Sequence, residues 1–172
     1  MINSNLVVHT SPHIASGQTT QSIMRDVIIA LLPAAAASVY FFGINSLRVI
    51  LFSIAGCLLS EFIFQKIVKR PFTLNDGSAL VTGILFAFCL PSTIPWWMVM
   101  IGGACSIIIG KMLFGGLGYN LFNPALVGRA ILLASWPQAM TLWHKPNSFL
   151  SMADAVTTAT PLAGLKQGIY SV

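Results

Sequence analysis

Near its end the chain carries DAVTTATPL, residues 154–162, with one acid, Asp154, and three threonine hydroxyls, Thr157, Thr158 and Thr160. A threonine acts as a nucleophile only with an activating base. The stretch has no histidine, and His9, His13 and His144 all lie outside it. Hydrolysis is therefore not the chemistry these residues point to. Two readings of the hydroxyls remain. In one, Asp154 caps a turn, the threonines bond local backbone and Pro161 keeps Thr160 extended. In the other, a hydroxyl is the attachment point for a modification.

A second stretch, GGLGYNLFNPALVGRA at residues 115–130, places Gly115, Gly116, Gly118, Asn120, Asn123 and Pro124 between two apolar runs. Asn followed by Pro is a helix start, with proline in the first turn. A helix N-terminus beside a glycine-rich turn receives an anion or a polar ring edge, and interrupted segments of this kind mark binding sites in transporter-like folds. A tight, well-capped turn explains the same residues. Arg129 lies inside the following apolar run, where an ionisable residue is a functional candidate by default. It could neutralise a cofactor phosphate, pair with an acid such as Glu61, or snorkel to an interface. Glu61 and Asp76 could touch an ion path, but both lie near segment ends, where solvation is the expected fate.

The elements that position these residues are greasy. The chain has 172 residues, of which 56% are hydrophobic and 8% charged, and mean hydropathy is +0.82. Soluble domains carry about 25% charged residues, so the composition indicates a membrane protein. The net charge of +5 comes from scattered basic residues and does not point to nucleic acid. Cys57, Cys89 and Cys105 sit in apolar runs without metal or redox spacing, and the polar N-terminus is not a signal peptide.

Five apolar segments follow, at about 27–42, 47–68, 76–95, 96–114 and 123–136. A spanning helix needs about 20 residues; the third segment is short, with Gly83 inside and two prolines at its exit, and the fifth is short for a crossing. If all five cross, Arg25, Lys66, Lys69, Arg70 and Lys111 share one side and Arg48 and Lys145 the other. The positive-inside rule then places the N-terminus in the cytoplasm and DAVTTATPL outside. The expected organisation is a cytoplasmic leader (1–24), a transmembrane bundle (25–136) and an external segment (137–172). The odd number of crossings and the abrupt stop suggest half of a larger protein.

Taken together and in order, SPHI, IMRDVIIALLPA, GGLGYN, FNPALVGRA, WPQAMT and DAVTTATPL resemble the D subunit of the Rnf complex and its relative, the B subunit of the sodium-pumping NADH:quinone reductase. The short leader is more like the Rnf type. The resemblance implies an all-α polytopic membrane protein, the first half of a urea-transporter-like inverted-repeat fold. It implies FMN joined by a phosphodiester to a threonine in a motif Asp-x-x-Ser/Thr-Gly-Ala-Thr. Asp154, Thr157, Thr158, Ala159 and Thr160 fill that motif, with Thr160 the attachment residue and Thr158 standing where glycine is usual.

The same resemblance implies a flavoprotein subunit of an ion-translocating NAD:ferredoxin oxidoreductase in the bacterial cytoplasmic membrane, inactive alone, that moves Na+ or H+. Its partners would be the other Rnf subunits, including the G flavin subunit and the A and E membrane subunits, with a flavin transferase for maturation and lipid around it. Asn120, Asn123 and Arg129 are further candidates to touch a cofactor. Members of the family also hold a free riboflavin among the helices. No residue is assigned to catalysis or to a metal. The competing expectation is a cofactor-free transporter of urea-transporter type, for which the threonine loop has no use.

Overall fold

The computed structural model describes residues 18–69 and 73–142. Among these residues the architecture is entirely helical: α1 (Thr20–Phe42), α2 (Ile44–Val68), α3 (Ser78–Phe88), α4 (Trp96–Ile107), α5 (Pro124–Ser135) and a single short turn of helix, α6 (Pro137–Thr141). A π turn (Ile108–Met112) prolongs α4, and a 3-10 turn (Leu74–Asp76) precedes α3.

The chain reverses at each element. Thr19 Oγ1 accepts the Ser22 amide and starts α1, earlier than the apolar run suggests, because the polar turn QSIMRD already has a cap. Pro33 is contained within α1, as membrane helices allow. Gly43, at φ +69°, ends α1 and starts α2 without an intervening loop. Glycine reaches this left-handed region without steric cost. The 25-residue α2 runs antiparallel to α3, since Ser53 Oγ donates to the Gly83 carbonyl at 2.6 Å while Ser78 lies beside the Glu61 level. It runs parallel to α4, where Cys57 meets Gly103. α5 then runs antiparallel to α4, with Pro124 against Gly110 and Leu132 against Gly102.

One end of the bundle therefore gathers the end of α2 and the starts of α3 and α5. The other end gathers the Gly43 turn, the start of α4 and the end of α5, where Trp97 and Trp136 meet edge to face at 5.5 Å.

Helices this apolar gain little by hiding from lipid, so they associate through close backbone approach at small residues. Gly83 lies so near α2 that a Cβ would stand 2.9 Å from Ile54 Cα. A Cβ on Gly128 would fall on Ser106 Oγ and the Gly102 carbonyl. A core of Phe86, Val99, Leu132, Leu90 and Met98 fills the space between α3, α4 and α5.

α1 and α2, at 23 and 25 residues, are long and apolar enough to cross a membrane. α3 and α5, at 11 and 12 residues, cover roughly 16–18 Å at about 1.5 Å per residue, short of a hydrocarbon core about 30 Å thick. Expectation and structure thus agree on an all-helical membrane protein, and the third and fifth segments, both short in the sequence, are half-length helices. The α4–α5 contact yields a direct prediction. Gly128→Val destabilises the full-length protein by about 1–3 kcal/mol through overpacking, whereas Leu126→Val, at an exposed site on the same helix, leaves it nearly unchanged. Thermal unfolding in detergent compares them, and equal midpoints for the two variants would contradict the close contact.

Candidate functional site

Glu61 and Lys111 are both buried, and they face each other. The Lys111 ammonium donates to Glu61 Oε1 at 2.8 Å, to Glu61 Oε2 at 2.9 Å and to Ser78 Oγ at 2.7 Å. All three of its N–H groups are thereby used. Gln65 Nε2 donates to Glu61 Oε1 at 3.1 Å and to Thr73 Oγ1 at 2.7 Å. Thr73 returns its backbone amide to Gln65 Oε1 and its hydroxyl to Glu61 Oε1, each at 3.2 Å. The carboxylate is fully enclosed and the lysine side chain 3% exposed.

Four elements build this centre. Glu61 and Gln65 are one turn apart on α2 and so share a face. Ser78 opens α3, directly after Gly77, whose φ of +71° turns the chain into the helix. Thr73 precedes the 3-10 turn. Lys111 belongs to the π turn, closed by Leu113 N–H to the Ile108 carbonyl at 3.0 Å. A π turn holds one more residue per hydrogen-bonded ring than an α turn, so side chains beyond it leave the face that α4 presents; such turns are frequent at functional sites.

Two expectations are corrected here. Glu61 is not solvated at a helix end, because α2 continues for two more turns and α4 covers it. Lys111 is not a loop charge marking the membrane surface, because its ammonium points back into the bundle to the one glutamate of the chain. Pairing is what allows either charge to be buried. The partner proposed for Glu61, Arg129, does not reach it. Arg129 lies half-buried in the middle of α5, and among the described residues it makes no ion pair. Asp76 sits in the 3-10 turn, half-buried.

The other candidates fall at different places. Asn123 caps α5, accepting the Ala125 amide at 3.0 Å, as the Asn-Pro pair predicts. Asn120 donates to the Phe122 carbonyl at 3.1 Å. Both lie at the same end of the bundle as Lys111. The chain leaves α5 toward the threonine motif at the opposite end. Asp154, Thr157, Thr158, Ala159 and Thr160 lie outside the described residues. Lys111, Gln65, Ser78 and Thr73 had no place among the sequence candidates. The available signal was a lone lysine within an otherwise apolar run, IIIGKM.

The family profile described as NQR2, RnfD, RnfE matches residues 7–172. The chain belongs to the NQR2, RnfD, RnfE family. Among relatives in this family, the D subunit of a Na(+)-translocating ferredoxin:NAD(+) oxidoreductase complex from Acetobacterium woodii is 49% identical over 164 residues, covering 95% of this chain and 50% of the relative. The D subunit of a proton-translocating ferredoxin:NAD(+) oxidoreductase complex from Clostridium ljungdahlii is 47% identical over 164 residues, 95% of this chain and 49% of the relative. The D subunit of an ion-translocating oxidoreductase complex from Alcanivorax borkumensis is 41% identical and covers 92% of this chain and 50% of the relative. The chain thus spans about half the length of these curated relatives.

The buried pair sets an energetic test. Lys111→Met leaves an uncompensated carboxylate and costs about 3–5 kcal/mol, whereas joining it to Glu61→Leu recovers most of that loss, because a buried pair and an apolar replacement are often close in stability. A double-mutant cycle on the thermal stability of the full-length protein in detergent measures this. Additive losses would show that the two groups do not depend on each other.

Proposed function

We propose that this chain is the flavin-bearing first half of a membrane subunit in an ion-translocating ferredoxin:NAD+ oxidoreductase complex, with FMN joined through its phosphate to Thr160. The observation that carries this reading is the motif Asp154-x-x-Thr157-Thr158-Ala159-Thr160 in a chain nearly half identical to subunits named for that reaction in two organisms. Thr160 is the acceptor by its place in the motif. Thr158, where glycine is usual, adds a second hydroxyl that the family pattern does not use. Asp154 serves recognition of the loop by a flavin transferase.

The orientation follows from charge. Lys111 leaves the count of loop charges because it is buried and paired. Among the described residues, Arg25, Lys66 and Lys69 lie together at one end, against Arg48 at the other. That balance assigns the Glu61–Lys111 end to the cytoplasm and the Trp97–Trp136 end, from which the chain continues toward Thr160, to the outer face. The segment 137–172 is then external. The helices are read as one repeat of a urea-transporter-like fold, completed by the remaining half of the protein, and the other Rnf subunits are its partners.

When bound, FMN supplies a carrier that takes electrons singly or in pairs. The chain's own part is to fix where that carrier stands. A covalent bond at Thr160 prevents its loss from an exposed position, and the paired Trp97 and Trp136 rings fix the end of α5 against α4 where the loop departs.

The test is the intact mass of the full-length protein made together with a flavin transferase, beside a Thr160→Ala version. The expected result is a gain of one FMN less one water, absent in Thr160→Ala. A gain that survives the substitution moves the bond to Thr158 or Thr157. No gain in either, with a flavinylated control protein in hand, overturns the covalent-carrier reading.

A further inference from the structure

Arg129 is the only charged residue between Lys111 and Lys145, and its depth follows from its neighbours. Gly128, next to it on α5, lies against Ser106 and the Gly102 carbonyl of α4. On the other side of α4 the Gly103 carbonyl accepts from Cys57 Sγ at 3.7 Å. Cys57 is near the middle of α2, the 25-residue helix long and apolar enough to cross a membrane. Arg129 therefore stands near mid-depth, roughly 15 Å from either face of a hydrocarbon core about 30 Å thick. A guanidinium cannot snorkel over that distance, and an unpaired ion at that depth is costly.

This chain holds no counter-charge for it. Its acids number four. Glu61 is spent on Lys111. Asp26 is exposed near the start of α1 and Asp76 lies in the 3-10 turn. Gly77 sits beside Met24 and Ile28, which puts both acids at the Lys111 end of the bundle. Asp154 belongs to the motif read above as external. Among the described residues Arg129 makes no ion pair.

The surface beside Arg129 suits a helix. Ala125, Gly128 and Leu132 form the buried face of α5. Leu126 and Leu133, three residues before Arg129 and four after, share its side of the helix and are 53% and 42% exposed. Ala130, small enough for close helix approach, is exposed between them. Lipid tails satisfy the leucines but bring no anion to this depth. A membrane helix carrying a carboxylate satisfies both. The chain spans about half the length of its relatives, and α5 covers only roughly 18 Å at about 1.5 Å per residue, so the bundle leaves room in the membrane for such a helix.

We infer that Arg129 is the point at which this half of the subunit is joined to the remaining half. Its guanidinium pairs with an Asp or Glu on a membrane helix of that half, and the same helix covers Leu126, Ala130 and Leu133. The inference rests on the reading of this chain as the first half of a membrane subunit, and not on the flavin.

The test uses the isolated full-length subunit, taken from the membrane fraction and unfolded by heat in detergent. Arg129→Met leaves a buried carboxylate without its partner, so the midpoint falls by about 5–10 °C. Arg48→Met, at an exposed site near the start of α2, leaves it unchanged. Each membrane-segment Asp or Glu of the remaining half is then changed to Asn or Gln, alone and together with Arg129→Met. One of these acids recovers most of the loss when combined with Arg129→Met. Where Arg129→Met yields no folded protein, return of folded protein in that double variant reads the same coupling. An unchanged midpoint in Arg129→Met, or a loss that no acid of the remaining half recovers, overturns the pairing and leaves the membrane-subunit reading intact. Absence of the full-length parent from the membrane fraction overturns both.

Discussion

A carboxylate and an ammonium taken out of water need each other, and in this bundle that need ties together elements far apart in sequence. Glu61 on α2 and Lys111 on the π turn each carry a charge that could not stay buried alone. Their contact draws in Ser78 at the start of α3 and, through Gln65, Thr73 on the connection before it. Desolvation opposes the pair as strongly as attraction favours it. What the pair supplies is a unique arrangement. Only one register of α2 against the end of α4 puts both oxygens within 2.9 Å of Lys111. The start of α3 is set by the same requirement.

The glycine contacts extend that arrangement along the bundle. Leu132 on α5 packs against Gly102, Gly128 against Ser106 and Pro124 against Gly110, so α5 follows α4 at a separation that a side chain would forbid. Ser106 Oγ, buried without a hydrogen-bond partner among the described residues, sits in this seam. In lipid such van der Waals contact replaces the hydrophobic effect as the source of helix association. The register fixed at the charged end is therefore transmitted to the aromatic end, where Trp97 meets Trp136.

Much of this was legible in the chain because the signals were local. Apolar runs bounded by Gly43, KRP, LPSTIP and NP mark where helices begin and end, and Asn123 caps α5 as its position before proline requires. The Glu61–Lys111 contact was not legible, since the two residues are 50 apart in sequence. Read locally, Glu61 precedes a basic helix end and Lys111 follows an apolar run, and each looks like a surface charge. The π turn that redirects Lys111 has no propensity signature, because it follows from packing. The short length of α3 was legible too, since the third apolar run has Gly83 inside it and closes on the two prolines of LPSTIP. For the threonine motif the information is of another kind. No spacing or period singles out Thr160, and its proposed role rests only on the complete motif in its family order.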